Sequence, residues 1–221
     1  MKNKENDLDL SYWERFYSSP EGQFINKIPS QFSTFILGEF PNRKLFFDIG
    51  CGDGRDSFFF ATHGKSVYAV DGSKVAIDKN NSQARALGLN NLIFKNCNLL
   101  SNDDFLSQLQ LGPYSLNDVV VYSRFFLHAI NEVVEDEFLK FSKIITDGGG
   151  VVCIEYRTSA DELRQKETPP HYRRYIDAAK LKDKITNRGM TLAYSIEGSG
   201  YAKYKNDDAH IARQIIIKNE S

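Results

Sequence analysis

The stretch Leu45-Phe46-Phe47-Asp48-Ile49-Gly50-Cys51-Gly52-Asp53-Gly54-Arg55-Asp56 runs from an apolar segment into three alternating glycines and ends on charged residues. An apolar run of this length without polar alternation fits a strand buried on both faces. The glycines mark a tight turn, and Ser57 to Gly64 reads as a helix end with Gly64 at its C-cap. Outward from there the pattern repeats. Lys65–Asp71, Asn91–Asn96, Asp118–Ser123 and Val151–Tyr156 read as four more apolar strands. Helices are expected at Ser73–Leu87, Asp103–Leu111, Glu132–Ile145 and Asp177–Arg188. Met190–Gly198 and His210–Asn219 are the last strands, joined by a polar loop that suggests a hairpin. Strands alternating with helices imply an α/β protein with a parallel sheet covered on both faces, and the hairpin adds one antiparallel strand.

Ahead of this unit, residues 1–10 are polar and charged. Ser11 can cap a helix over Tyr12–Tyr17, with Glu14 as its capping-box partner. Pro29-Ser30 opens a second helix, from Gln31 to about Phe40, that stops before Pro41. The expected division is therefore residues 1–44 as two lid helices and residues 45–221 as the α/β domain.

In open α/β sheets the ligand lies beyond the carboxyl ends of the strands, near the switch in strand order. Chemistry is thus expected at Asp48–Asp56, Asp71–Ser73, Asn96–Leu99, Ser123–His128 and Glu155–Thr158. Glycines after the first strand allow positive φ and close approach of a ligand. Asp71 follows them by about 20 residues, where a carboxylate can take both hydroxyls of a ribose. A dinucleotide loop needs a third glycine where this chain has Arg55. An acid just before the glycines, Asp48 in the pattern acid-x-G-x-G-x-G, repels a pyrophosphate and instead suits the amino group and sulfonium of S-adenosylmethionine.

The segment 45–99 resembles the cofactor motifs of the class I S-adenosylmethionine-dependent methyltransferases. The resemblance implies a Rossmann-like seven-stranded sheet in order 3-2-1-4-5-7-6, with the seventh strand antiparallel and helices on both faces. It further implies that Asp48, Gly50 and Gly52 line the methionine part of the cofactor. Asp71 would hold the ribose, Gly72 and Ser73 would border the adenine, and Asn98 and Leu99 would flank its ring. Tyr12-Trp13-Glu14-Arg15-Phe16-Tyr17 resembles the aromatic opening of several small-substrate methyltransferases, and Pro29-Ser30-Gln31-Phe32 a second lid element. Tyr12, Trp13 and Gln31 are accordingly expected at the cofactor; the plain alternative is amphipathic packing on the sheet.

Ser123-Arg124-Phe125-Phe126-Leu127-His128 follows the fourth strand and in this fold faces the transferred methyl group. Ser123 is counted with the cofactor residues. His128 is a candidate general base or a hydrogen-bond donor to an anionic acceptor, against the alternative of a histidine satisfied at a helix start. Arg124 either serves the acceptor or pairs with a surface carboxylate. Arg157, after the fifth strand, and His171-Tyr172-Arg173-Arg174-Tyr175 add cations on the side where substrate enters, as does Gly200-Tyr201-Ala202-Lys203-Tyr204. Arginine forks match phosphate oxygens, so His128, Arg124, Arg157 and Arg173 form the expected catalytic set, whereas Arg164–Lys166 reads as a solvated face. These segments together resemble bacterial methyltransferases of capsule and O-antigen biosynthesis, some of which methylate a terminal phosphate or act in phosphoramidate pathways. The implied acceptor is a small-molecule or glycan-precursor anion. The alternatives are a detoxifying methyltransferase of the thiopurine or tellurite type, or a non-catalytic cofactor-binding scaffold.

Composition bounds the rest. Lys plus Arg is 28 and Asp plus Glu is 29, so no bulk attraction to nucleic acid or anionic membrane is expected. Hydrophobic residues make up 41%, which is a globular balance. No apolar run approaches the ~20 residues of a membrane helix. Met1–Leu10 carries no apolar core of a secretory signal. Cys51, Cys97 and Cys153 form no paired motif, and carboxylates do not cluster with histidines at ligand spacing, so neither disulfides nor a metal is expected. The expected compartment is the cytoplasm; oligomeric state is not encoded legibly.

Overall fold

The computed structural model describes residues 10–19, 28–97, 105–164, 166–167, 171–204 and 206–219. Seven strands form the main sheet: β1 (Leu45–Ile49), β2 (Ser66–Asp71), β3 (Leu92–Asn96), β4 (Val119–Arg124), β5 (Val151–Arg157), β6 (Met190–Gly198) and β7 (Ile211–Lys218). Their order is β3-β2-β1-β4-β5-β7-β6. β1 to β5 pair in parallel, and β7 runs antiparallel to both β5 and β6. This is the expected order, and the hairpin supplies the reversed strand. A separate two-residue ladder pairs Lys203–Tyr204 with Asp207–Asp208.

Residue parity explains why the central strands are apolar throughout. Phe47, Ile49, Val119 and Val121 pack on one face, against Phe138, Leu139 and Ile145 of α6 (Glu132–Asp147) and Leu181 and Ile185 of α7 (Ala178–Thr186). Phe46, Val120 and Tyr122 pack on the other. There they meet Phe32 and Ile36 of α2 (Gln31–Glu39), Phe58 and Phe60 of α3 (Arg55–Thr62) and Ile77 of α4 (Lys74–Ala86). Each side chain of such a strand removes apolar area from water at roughly 25 cal/mol per Å², so neither face tolerates a polar position without a partner.

Two local expectations are corrected. Helix α1 spans Leu10–Ser18, so Ser11 lies inside it and not at its N-cap. Its Oγ accepts a hydrogen bond from Arg15 Nη1 instead. Glu14 points away from its own helix and accepts from Ser73 Oγ and from the backbone N–H groups of Lys74 and Val75. It therefore caps the start of α4, where unpaired N–H groups and the helix dipole favour an anion. The helix expected over 103–111 is confined to α5 (Phe105–Gln108) among the described residues, closing with Leu109 N–H donating to the Leu106 carbonyl ahead of Gly112-Pro113.

Candidate active site

The order of the sheet reverses between β1 and β4, and a cavity of about 360 Å³ lies there, beyond their carboxyl ends. Its floor is the glycine loop. The N–H groups of Gly50 and Cys51 both donate to the Val70 carbonyl, at 2.9 and 3.1 Å, fixing the loop to the end of β2. Gly50 has φ 74° and Gly52 φ 53°. A Cβ at Gly50 would stand 2.8 Å from the Phe126 ring, and one at Gly52 would collide with the Tyr17 hydroxyl. Backbone, not side chain, thus forms this surface.

Two carboxylates bracket the loop. Asp71 accepts from Gly52 N–H through Oδ2 and from Ser73 N–H through Oδ1, each at 2.8 Å. Burial raises its pKa; the two N–H groups oppose this and Glu14 adds to it. Each oxygen keeps a further lone pair for a ligand hydroxyl. Asp48 is 3% exposed, and Ser57 Oγ donates to its Oδ2 at 2.5 Å. Burial pushes its pKa up to about 8, the serine lowering it and Asp56 and Asp71 raising it. A buried acid in this state gains its charge when a cation arrives beside it.

Helix α1 forms the roof through Trp13, Phe16 and Tyr17. Tyr12 stands behind them and stacks on His171, with ring centroids 4.2 Å apart, while Trp13 meets the same imidazole at 5.1 Å. Asp56, in the first turn of α3, joins the floor to α2. It accepts from Ser30 N–H, Ser30 Oγ, Ser33 Oγ and Tyr122 Oη. Burial would raise its pKa, but Arg55, Arg124 and these donors outweigh that and bring it to about 2.

The opposite wall is cationic, yet much of its charge is already matched. Arg124 Nε lies 2.7 Å from Glu155 Oε1, and Arg213 Nε donates to Glu155 Oε2 at 2.6 Å. Burial works against the charge on Arg124, and Glu155 and Asp56 more than restore it. Arg157 donates to Asp161 Oδ2 at 2.6 Å and to Asp207 Oδ2 at 2.5 Å. For Arg173, burial first and Arg157 second hold its pKa below the ordinary value. Its neighbour Arg174 anchors the segment, with N–H donating to the His128 carbonyl at 2.8 Å and its guanidinium on Glu135 and the Leu127 and Ile130 carbonyls. Phe125, with φ 58°, places its ring against the Arg124 and Arg157 guanidiniums, 4.2 and 5.5 Å from its centroid.

His128 is buried in this wall. Burial, then Arg157, Arg173, His171 and Arg124, lower its pKa well below the usual histidine value, so the ring is neutral at physiological pH. Its Nδ1 accepts the Arg157 N–H at 3.3 Å, which puts the ring proton on Nε2.

The cavity thus brings together Trp13, Asp48, Gly50, Gly52, Asp71 and Gly72 with Arg124, His128, Arg157 and Arg173. Four other expected residues stand outside its lining. Tyr12 backs the roof, Gln31 is exposed on the first turn of α2, Ser73 caps α4, and Ser123 Oγ donates to the Ile49 carbonyl. Asn98 and Leu99 lie outside the described residues. Asp56 and Phe126 also line the cavity, inside the expected stretches Asp48–Asp56 and Ser123–His128 but without an assigned role, and Tyr122 lines it from outside them. The acid just after the glycine loop and the lone tyrosine in the β-branched Val119–Tyr122 run were the available signals.

Residues 47–151 match a family model described as a methyltransferase domain. No curated protein matches the chain. Solved structures share its fold. A methyltransferase of Anabaena variabilis is 16% identical with a TM-score of 0.67, over 96% of this chain and 94% of that one. The CcbJ methyltransferase of Streptomyces caelestis is 14% identical with a TM-score of 0.64, over 93% and 95%. The 1,6-didemethyltoxoflavin-N1-methyltransferase of Burkholderia thailandensis, solved with S-adenosylhomocysteine, is 16% identical with a TM-score of 0.59, over 85% and 76%. Residues 47–151 thus carry the match to a methyltransferase domain, and the β3-β2-β1-β4-β5-β7-β6 sheet, with its glycine loop bracketed by Asp48 and Asp71, gives the chain the fold of the class I S-adenosylmethionine-dependent methyltransferases.

Proposed function

We propose that the chain methylates an anionic oxygen of a phosphate or phosphoramidate group on a capsular-polysaccharide or O-antigen precursor. S-adenosylmethionine, when bound, supplies an electrophilic methyl group on a sulfonium. The floor fits such a donor: Asp48 is a buried acid on the cavity wall that gains its charge from a cation, and the loop packs so closely on Phe126 and Tyr17 that only backbone forms the surface there. In this reading Asp48, Gly50 and Gly52 hold the amino-acid part, Asp71 the ribose, and Gly72, with Ser73 behind it, borders the adenine; Trp13 closes the roof, with Tyr12 and Gln31 supporting the lid and Ser123 the loop.

The observation that carries the acceptor class is the state of His128. It is neutral, and its Nδ1 is engaged by a backbone N–H. In that tautomer the ring donates through Nε2 and does not accept a proton there. A neutral hydroxyl acceptor needs a base; a phosphate oxygen is already ionised and needs only orientation. Arg173 supplies the attraction, since a guanidinium held below its ordinary pKa is one whose charge an anion stabilises. Arg124 and Arg157, tied to Glu155, Asp161 and Asp207, shape the wall without stripping charge from the attacking oxygen. Alignment of acceptor and methyl group then contributes on the order of 7–11 kcal/mol in favourable cases.

The test is an acceptor panel read by mass spectrometry for the gain of one methyl group. It contains phosphorylated and phosphoramidated sugars, neutral sugars, a thiopurine and tellurite. Methylation confined to the anionic sugars is expected. Transfer to a neutral hydroxyl, to sulfur or to tellurium refutes the acceptor class; cofactor binding with no turnover on any acceptor favours the scaffold.

A further inference from the structure

Residues 199–204 and 206–208 form a flap outside the main sheet, closed by the two-residue ladder in which Lys203 faces Asp208 and Tyr204 faces Asp207. The flap is fastened at several points. Gly200 N–H donates to Asp208 Oδ1 at 2.7 Å, Arg213 Nη2 to the Tyr201 carbonyl at 2.8 Å and Arg164 Nη1 to the Asp208 carbonyl at 3.0 Å. Ala202 packs with Ala209, Ile211 and Phe125. The strongest fastening is buried: Asp207, 4% exposed, receives Arg157 Nη2 at 2.5 Å. Fastened this way, the flap presents Lys203 and Tyr204 to the cavity, both side chains remaining exposed to solvent.

Lys203 differs from the cations around it. Arg55, Arg124 and Arg157 each meet a carboxylate within the protein. Among the described residues Lys203 makes no ion pair, although the flap holding it is closely tethered. A tethered cation facing a cavity, with its charge unmatched there, is disposed to pair with a ligand anion. Tyr204 adds an exposed ring on the same rim, an apolar face with a polar tip.

We propose that Lys203 and Tyr204 select the methyl acceptor, Lys203 by pairing with its negative charge and Tyr204 by packing on the adjoining sugar ring, and that Arg157 serves selection indirectly by latching the flap. Arg157 is then a positioning residue. The proposal rests on the anionic-acceptor reading and makes it more specific.

Protein loaded with S-adenosylhomocysteine is titrated calorimetrically with inorganic phosphate, glucose 1-phosphate and, as a neutral control, methyl glucoside. The wild type is expected to bind the two anions and not the glucoside. Lys203→Ala should weaken both anions about fivefold, the scale of one partly exposed ion pair, and Lys203→Arg should restore them. Tyr204→Ala should weaken glucose 1-phosphate and spare phosphate. Asp207→Asn should reproduce the Lys203→Ala loss with Lys203 intact, at unchanged affinity for S-adenosylhomocysteine. Anion affinity unchanged in Lys203→Ala but lost in Arg173→Ala overturns the flap proposal and leaves the anionic acceptor standing. A wild type that binds neither anion overturns both.

Discussion

Replacing Asp48 by Asn probes the donor site through its charge. The carboxyl is buried and its pKa is pushed up to about 8, against an ordinary value of about 4. Because the folded-state pKa is raised, the residue's contribution to stability is fully present below pH ~4 and is lost progressively as pH rises through about 8. At pH 7 the unfolded chain ionises Asp48 and the ligand-free folded protein does not. That difference costs on the order of 4 kcal/mol, at about 1.4 kcal/mol per pH step. Asn keeps the hydrogen bond from Ser57 Oγ and abolishes the titration. The variant should therefore melt higher than wild type by on the order of 10 °C at pH 7.5, using about 2–4 °C per kcal/mol for a chain of this size, with the gap shrinking steeply towards pH 5. Asp56 and Asp71 are present in both proteins and cancel to first order. The same change should weaken S-adenosylmethionine binding by at least about tenfold, because the cation loses its counter-charge. In the wild type, binding at pH 7 should release a proton from Asp48, visible as a heat of binding that depends on the buffer's ionisation enthalpy. A melting gap that stays flat between pH 5 and 7.5, or a buffer-independent heat, refutes the assignment of Asp48 as the counter-ion.

Asp71→Ala should weaken cofactor affinity by about tenfold or more in calorimetry, since it removes the ribose acceptors and leaves Gly52 N–H and Ser73 N–H without their partner. Glu155→Gln should lower stability by about 3–5 kcal/mol in chemical denaturation, because Arg124 and Arg213 both lean on this buried carboxylate. Glu14→Gln should cost about 1 kcal/mol through loss of the charged cap on α4 and raise the KM for S-adenosylmethionine with little change in kcat; an unaltered KM would separate the roof helix from donor binding.

The sheet was legible because its information is local. Phe46-Phe47 and Val119-Val120-Val121 announce strands buried on both faces, and Gly50, Gly52 and Asp71 announce the loop and its acid within one β-α-β unit. What stayed hidden depends on contacts between residues far apart in the chain. Glu14 has the spacing of a capping-box partner for Ser11 but finds the start of α4 nearer in space. Arg157 looks like a free fork beside the substrate, and nothing near it in sequence reveals Asp207, 50 residues away. Ser123 lies near the carboxyl end of β4, where a cofactor residue is expected, yet its hydroxyl is taken by the neighbouring strand's carbonyl. Local pattern reports which surfaces are buried; it does not report which charges meet.

The walls of the cavity have a consequence for how such a protein changes over time. Trp13, Phe16 and Tyr17 come from before the matched methyltransferase segment, and Arg157, Arg173, Lys203 and Tyr204 from after it. The glycine loop and its two acids lie inside the segment with Arg124 and His128, whereas the roof and the rest of the cationic wall lie in its flanks. A lineage can therefore reshape much of the cavity wall by rewriting the two ends of the gene, while the glycine loop and its acids continue unaltered.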